Sequence, residues 1–300
     1  MTLSRLDKQG LTAALFTAIA WSMVGIFVRL LPEWPPFAVL AGRFLVAAGV
    51  MLPIFFLTPS ARLEFIRSLR IPQIWWLSLL AIGGYALGTT AFQIAPVGEV
   101  TLLMTTSPLF VVAYKYFVGL RTKQSGGIGV LLAIVGVSFI LLPQRFANEA
   151  VFWQAMPGYL LALGAAGMLA LYALWLSTLT KQRNAPRSID VVFVTCLLGS
   201  VLSLLYAVFF SRSLIELEIN GSTILTMIGL GVLSTAFPSL CYTVAAQRLP
   251  AVMTTAILLL EVVFATLFAS VALQETPSLW FYFGSVLVLY GLLLISREAD

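Results

Sequence analysis

The two halves of this sequence repeat each other, and each half contains five long apolar stretches. When the sequence is displaced by 154 positions, Gln93 aligns with Gln247 and Pro96 aligns with Pro250. A unit with an odd number of membrane crossings has to be followed by a copy that enters the bilayer from the opposite side. Inverted repeats of this kind build two alternative gates around one central site in many secondary transporters. The repeat therefore predicts a chain with two inverted halves.

The apolar stretches are long enough to cross a membrane as helices. Sixty percent of the 300 residues are hydrophobic and 10% are charged, a composition foreign to soluble domains. A helical crossing needs roughly 20 apolar residues. We expect spans at residues 11–31, 36–57, 74–94, 98–118, 125–142, 157–178, 190–210, 223–246, 250–273 and 279–296. The predicted fold is an all-α integral membrane protein with ten transmembrane helices, arranged as inverted five-helix repeats at residues 1–146 and 147–300.

The positions of Lys and Arg predict which side of the membrane each connection occupies. The side that holds both termini carries Arg5, Lys8, Arg62, Arg67, Arg70, Arg121, Lys123, Lys181, Arg183, Arg187, Arg248 and Arg297. The opposite side carries Arg29, Arg145 and Arg212. Because cytoplasmic loops hold the excess of basic residues, we expect both termini in the cytoplasm. Residues 62–71 form either a short basic interfacial helix or an ordinary charged loop.

Residue types that carry catalytic or metal chemistry are scarce. The sequence has no histidine, and its two cysteines, Cys196 and Cys241, lie inside apolar spans, where a free thiol behaves as a small hydrophobe. Neither a CxxC pair nor a GxxxxGK[ST] phosphate loop occurs. The formal charge of +5 is dispersed over the loops and forms no basic face for nucleic acid. We therefore expect no enzyme activity, no metal, no cofactor and no nucleic-acid partner.

Two segments resemble a known transporter family. Residues 258–275, LLLEVVFATLFASVALQE, are similar to the second EamA-type repeat of the drug/metabolite transporter (DMT) superfamily, and residues 106–121 are similar to the first. The aromatic content looks most like the YddG-type aromatic amino-acid exporters. The resemblance implies a ten-helix basket in a bacterial-type inner membrane, with a cavity lined by spans 1, 3, 4, 6, 8 and 9. Val262 replaces the usual proline of the second repeat, and Arg121 replaces the usual glutamate of the first.

Glu261 is the most informative single residue. A charged side chain near the middle of an apolar span costs about 2.5–3.5 kcal/mol on insertion scales, so it faces a polar cavity or a partner. Glu261 is either a site for a substrate ammonium group or a proton, or a structural glutamate bonded to a neighbouring helix. Glu99, at the start of the fourth span, either snorkels to the interface or belongs to the site. Arg43, in the second span, binds either a substrate carboxylate or a backbone carbonyl or headgroup.

Two prolines inside spans predict breaks in their helices. Pro108 in the fourth span and Pro238 in the eighth each remove a backbone hydrogen bond to the residue four positions earlier. Inside a membrane such breaks face protein or a wet cavity. We interpret both prolines as gating kinks, with packing irregularities as the alternative. Ser107 stands beside the first break and is a candidate substrate-binding hydroxyl.

Aromatic side chains with a polar group lie in the middle of spans that the resemblance assigns to the cavity. They are Trp21, Tyr85, Tyr172, Trp175 and Tyr242. Buried Tyr and Trp need a partner or a cavity for the polar group, and stacking on an aromatic ligand contributes about 0.5–1.5 kcal/mol per pair beyond area burial. We place an aromatic ring of the substrate among these residues and its ammonium group towards Glu261.

Small residues recur every seven positions in the last span of each half. Gly129 and Gly136 occupy the fifth span, and Gly284 and Gly291 occupy the tenth. Small residues on one face of a membrane helix permit close approach of another helix. They indicate close helix packing, either within the chain or between two copies of it. We favour a monomer, in which the packing lies within the chain.

Together these features predict a secondary, alternating-access exporter of small amphipathic metabolites, with aromatic amino acids as the favoured cargo. One half would rock against the other within the lipid bilayer. An alternative keeps the fold and carries a nucleotide sugar or another phosphorylated metabolite, for which Arg43 is the strongest basic candidate. A further alternative is a membrane enzyme or a lipid flippase. The residues leave energy coupling open, and the direction of transport follows from the resemblance alone.

Overall fold

The chain is helical along nearly all of its described length. The computed structural model describes residues 8–57, 59–119, 124–147, 149–179, 186–210, 219–249 and 251–296. The helices are α1 (Lys8–Ser22), α2 (Val24–Arg29), α3 (Pro36–Leu57), α4 (Pro59–Leu69), α5 (Pro72–Ile94), α6 (Val97–Met104), α7 (Ser107–Phe117), α8 (Gln124–Ala147), α9 (Glu149–Leu179), α10 (Ser188–Phe210), α11 (Gly221–Gly231), α12 (Phe237–Arg248), α13 (Ala251–Leu258), α14 (Leu260–Ala272) and α15 (Leu279–Ser296). A π-helical turn, Val232–Ala236, joins α11 to α12.

Eight segments of the described chain are long and apolar enough to cross a bilayer. They are Lys8–Arg29, Pro36–Leu57, Pro72–Ile94, Val97–Phe117, Glu149–Leu176, Ser188–Phe210, Gly221–Arg248 and Met253–Ala272. The described apolar parts of the fifth and tenth predicted spans, Gly127–Leu141 and Leu279–Ile295, are shorter. An all-helical membrane architecture is therefore confirmed, whereas the count of ten crossings stays a prediction.

The orientation in the membrane also stays a prediction. Several residues on which it depends lie outside the described residues, namely Arg5, Arg121, Lys123, Lys181, Arg183, Arg212 and Arg297, as does Pro250 of the repeat.

Helices α8 and α15 pack with their backbones in contact, and glycines make this approach possible. A Cβ atom on Gly136 would lie 2.6 Å from the carbonyl oxygen of Gly284, and one on Gly129 would lie 2.6 Å from that of Gly291. Such distances leave no room for a side chain. Residue numbers rise along one helix as they fall along the other, so α8 and α15 are antiparallel. The seam indicated by the glycine spacing lies within the chain.

Helices α3 and α10 likewise run in opposite directions. Phe44 of α3 packs against Gly199 of α10, and Phe55 stacks on Phe193 with ring centroids 4.3 Å apart. Each of these two pairs joins segments at equivalent places in the two halves, the second (α3 with α10) and the fifth (α8 with α15). The third segment of each half packs on the first segment of the other, because α5 contacts α9 and α12 contacts α1.

Helix α4 lies outside the spans and is fixed to α10 by a polar network. The buried carboxylate of Asp190 accepts hydrogen bonds from Ser68 of α4 (2.6 Å) and from Arg187 (2.8 and 3.0 Å). Arg187 also pairs with Glu64 of α4. The hydrogen bond with Asp190 raises the pKa of Arg187 above its ordinary value. Of the two alternatives for residues 62–71, a helix is the one observed over most of the segment.

Candidate functional site

Four of the predicted aromatic residues form one group in the interior of the bundle. The rings of Trp21 on α1 and Tyr242 on α12 have centroids 5.5 Å apart. Tyr172 on α9 lies within electrostatic range of Tyr242 and of Tyr85 on α5. The side chain of Tyr242 is 39% exposed, and we interpret this exposure beside Trp21 as the wall of an open cleft. We call these four residues the aromatic group.

Interrupted helices surround this group. The first segment is interrupted at Met23, the fourth between Met104 and Ser107, the eighth by the π-helical turn and the ninth at Leu259. Helix breaks near the middle of a span expose backbone polar groups, and transporters build their substrate sites from such discontinuous helices. Trp21 comes two residues before one interruption, and Glu261 comes two residues after another.

Glu261 belongs to the same region as the aromatic group. Its partly exposed side chain lies within electrostatic range of Tyr85. Across the described residues it makes no hydrogen bond and no ion pair, so the structural alternative, a glutamate bonded to a neighbouring helix, finds no support. A carboxylate that lacks a protein partner in an apolar span suits a cationic ligand or a proton. The helix that carries Glu261 is interrupted at Leu259. This interruption is present even though Val262 replaces the proline that the family usually has there.

Arg43 is bound to the π-helical turn. Its Nε donates to Oγ1 of Thr235 (2.6 Å), and its Nη2 donates to the carbonyl oxygen of Ser234 (3.2 Å). Pro238 has no N–H group and therefore cannot bond to that carbonyl four residues earlier. Arg43 supplies the donor that the proline removes. Between the alternatives for this residue, the structure shows the backbone carbonyl.

The guanidinium of Arg43 also lies against the aromatic ring of Tyr85. Its Cζ atom lies 4.7 Å from the ring centroid of Tyr85, and the whole side chain is only 2% exposed. Tyr85 therefore lies within electrostatic range of both Arg43 and Glu261. The sequence predicted that both charges lie inside spans, but it could not show that Tyr85 contacts Arg43, because the two residues are on different helices.

The two interior prolines each lie in the first turn of a helix that follows an interruption. Pro108 follows the break between α6 and α7, and Pro238 follows the π-helical turn. Whether these breaks move as gates stays a prediction. Ser107 is partly buried and its side chain makes no hydrogen bond in the described part of the chain, and Trp175, one turn beyond Tyr172, is 47% exposed. Their place in the site stays a prediction.

A second polar cluster lies between the halves, at the start of α6. Glu99 is buried rather than snorkelling to an interface, and it accepts a hydrogen bond from Tyr159 of α9. The carboxylate of Glu275 accepts from the backbone N–H of Val97 (3.0 and 3.2 Å). A cavity of about 150 Å³ beside them is lined by Pro96, Gly98, Glu99, Thr266, Glu275, Thr276, Pro277 and Phe281. Sequence reasoning missed Tyr159, because its partner lies on another helix.

Comparison with known proteins identifies the family. Residues 8–142 and 156–297 each match the model of the EamA-like transporters. The chain belongs to the EamA-like transporter family. This membership confirms the resemblance to the DMT superfamily and is compatible with the expected lack of enzyme activity. The specificity of the YddG-type exporters stays a prediction.

Curated relatives place this EamA-like protein in the inner membrane. The uncharacterized inner membrane transporter YedA of Escherichia coli K12 is 30% identical over 129 residues, which is 42% of this chain and 42% of that protein. YedA of the O6:H1 and O157:H7 strains matches equally well. The matched region spans less than half of the length of these relatives. Together with the apolar helices, the similarity supports a multi-pass protein of the inner membrane.

A solved structure supports the fold of this EamA-like protein over its whole length. The alignment with a protein of known crystal structure covers 97% of this chain and 98% of the other chain. The TM-score is 0.67 and the sequence identity is 22%. At this identity the likeness concerns the fold alone.

Proposed function

We propose that this EamA-like protein is a secondary, alternating-access exporter of small amphipathic metabolites, with aromatic amino acids as the favoured cargo. The observation that carries the proposal is the carboxylate of Glu261, which has no hydrogen-bond or ion-pair partner among the described residues and lies near the aromatic group. The cargo's ring would stack among Trp21, Tyr85, Tyr172 and Tyr242 while its ammonium group neutralises Glu261. Stacking and charge neutralisation together suit an amphipathic amine-bearing molecule.

Alternating access follows from two halves, residues 1–146 and 147–300, which we propose to be inverted repeats. The antiparallel pairs α3 with α10 and α8 with α15 support this arrangement. Close contacts at the two ends support it as well. A Cβ atom on Gly158 would lie 2.7 Å from Cβ of Ala95, and one on Gly10 would lie 2.9 Å from Cγ of Leu249. Ala95 and Leu249 each precede the proline of the repeat, so the two ends of the bundle are built alike.

A phosphorylated cargo fits this site less well. A dianionic group needs accessible basic side chains, and Arg43 is buried and bonded to Ser234 and Thr235.

Flux into liposomes tests the proposal. Purified protein is reconstituted, and the movement of labelled phenylalanine, tryptophan and alanine is followed with and without a pH gradient. We expect saturable flux of phenylalanine and tryptophan that exceeds the flux of alanine. Flux driven by the gradient would assign proton coupling to Glu261, and flux indifferent to it would indicate facilitated export. Absence of flux for all three would reject the aromatic cargo.

A further inference from the structure

In the part of the chain that the structure describes, the negative charge of Glu261 has no accessible positive charge beside it. Glu261 supplies the carboxylate. Among the described residues, Arg43 is the cation that lies near the same tyrosine, Tyr85. Arg29, at the end of α2, donates to the carbonyl oxygen of Ala95 (2.7 Å), and Lys115 lies in the last turn of α7. A zwitterionic ligand would therefore depend on Arg43 for a cation to pair with its carboxylate.

Arg43 is poorly placed to bind a ligand. The side chain is 2% exposed, and the ring of Tyr85 lies over its guanidinium. Its Nε and Nη2 already donate to Thr235 and Ser234. Turning the guanidinium towards a ligand would break the hydrogen bond to Ser234, whose carbonyl has no N–H donor from Pro238. A buried carbonyl without a donor is destabilising, so the protein resists this rearrangement.

We infer that the site recognises the aromatic ring and the ammonium group of its cargo but not the carboxylate, so that aromatic amines are cargo as well as aromatic amino acids. This inference rests on the proposed function and specifies which groups of the cargo the site recognises. A cation within about 6 Å of the face of Trp or Tyr is attracted by the ring, so Trp21 and Tyr242 add to the attraction of Glu261. The carboxylate of an amino acid loses water on entering the cleft, and among the described residues it meets no accessible cation there.

Three ligands with the same ring separate the contributions of the two charges. 2-Phenylethylamine has the ammonium group alone, phenylalanine has both charges, and 3-phenylpropionate has the carboxylate alone. Dissociation constants are measured by calorimetry on the purified full-length protein. We expect the amine to bind at least as tightly as phenylalanine, and 3-phenylpropionate to bind more than about tenfold more weakly. Glu261→Gln should weaken amine binding about tenfold or more, whereas Glu33→Gln, which removes an exposed carboxylate, should not change it.

Transport is tested with a cation that cannot cross lipid in a neutral form. N,N,N-trimethyl-2-phenylethylammonium keeps its charge at every pH, so its entry into liposomes reports carriage by the protein. We expect this compound to enter liposomes that contain the wild-type protein and to compete with labelled phenylalanine.

The outcomes distinguish this inference from the proposed function. If phenylalanine binds more than about threefold more tightly than the amine, the carboxylate is recognised and the inference is wrong, while the proposed function stands. If the amine binds and the trimethyl compound moves but phenylalanine does neither, the inference holds and amino-acid cargo is rejected. If none of the compounds binds or moves, both are wrong.

Discussion

Arg43 donates a hydrogen bond to the carbonyl oxygen of Ser234, the oxygen to which Pro238, four residues later, has no N–H group to donate. The two residues lie on different helical segments and are 191 positions apart in the sequence. A second bond from Arg43 to Thr235 fixes the same π-helical turn. Because Tyr242 lies just over one helical turn beyond Pro238, this contact joins the scaffold to the aromatic group. The proline provides the break, and the arginine holds the broken helix in one conformation.

Arg43→Met should destabilise the protein because the Ser234 carbonyl loses its donor. We expect a loss of about 1–3 kcal/mol in the free energy of unfolding. In a Pro238→Ala background, a backbone N–H becomes available to the same carbonyl, so the loss caused by Arg43→Met should shrink. The four proteins of this cycle are compared by thermal unfolding in detergent. Equal losses in both backgrounds would contradict the assigned contact.

Gly136→Ala should disrupt the contact between α8 and α15. The added Cβ would meet the carbonyl oxygen of Gly284 at 2.6 Å, and overpacking of this kind costs about 1–3 kcal/mol. Gly127→Ala on the same helix is the matched control, because nothing lies within 4 Å of its added Cβ. The thermal stability of both variants is measured by size-exclusion chromatography after heating. A Gly136 variant as stable as the Gly127 variant would show that the helices do not touch there.

Trp21→Ala and Tyr242→Ala should each weaken the binding of aromatic cargo. Each removes one ring of the tilted Trp21–Tyr242 pair, and the loss of an aromatic contact of about 0.5–1.5 kcal/mol corresponds to a roughly two- to tenfold rise in the dissociation constant. Trp76→Ala serves as control, since that side chain is 60% exposed on α5. Calorimetry with phenylalanine measures all three. If both cleft variants bind phenylalanine with unchanged affinity, the binding site does not include Trp21 and Tyr242.

Cysteine labelling tests the orientation of the halves. Glu33 lies in the connection before α3, and Arg67 lies on α4, which follows α3, so the two residues should be on opposite sides of the membrane. In a background without Cys196 and Cys241, a membrane-impermeant maleimide applied to spheroplasts should label Glu33→Cys and spare Arg67→Cys until the membrane is opened. The reverse pattern would place the termini outside the cell.

The sequence predicted those features that depend on spacing along one helix. The apolar spans indicated the membrane architecture, and the spacing of Gly129 and Gly136 indicated a close helix pair. A break was expected at Pro238 because proline lacks an N–H group whatever surrounds it. These features are local, because each depends only on residues that are close together in the sequence.

Features that depend on the rotation of one helix against another could not be predicted. Arg43 could bind a ligand or a carbonyl until its position relative to the π-helical turn was known. Trp175 and Tyr172 are one turn apart on α9, a helix apolar on every face, and the sequence could not show that Trp175 is the more exposed. Val262 removed the proline signal, yet the helix is interrupted at Leu259, because backbone breaks also depend on packing with neighbouring helices.

In the proposed site, Glu261 binds the ammonium group of the cargo, and flux through a Glu261→Gln variant is the sharpest test of this role. Wild type, Glu261→Gln and the exposed-site control Glu33→Gln are reconstituted at equal density, and initial rates of labelled phenylalanine and tryptophan entry are compared. We expect Glu33→Gln to transport at the wild-type rate and Glu261→Gln to lose about tenfold or more at subsaturating cargo. Equal rates in all three proteins would show that Glu261 does not bind the cargo.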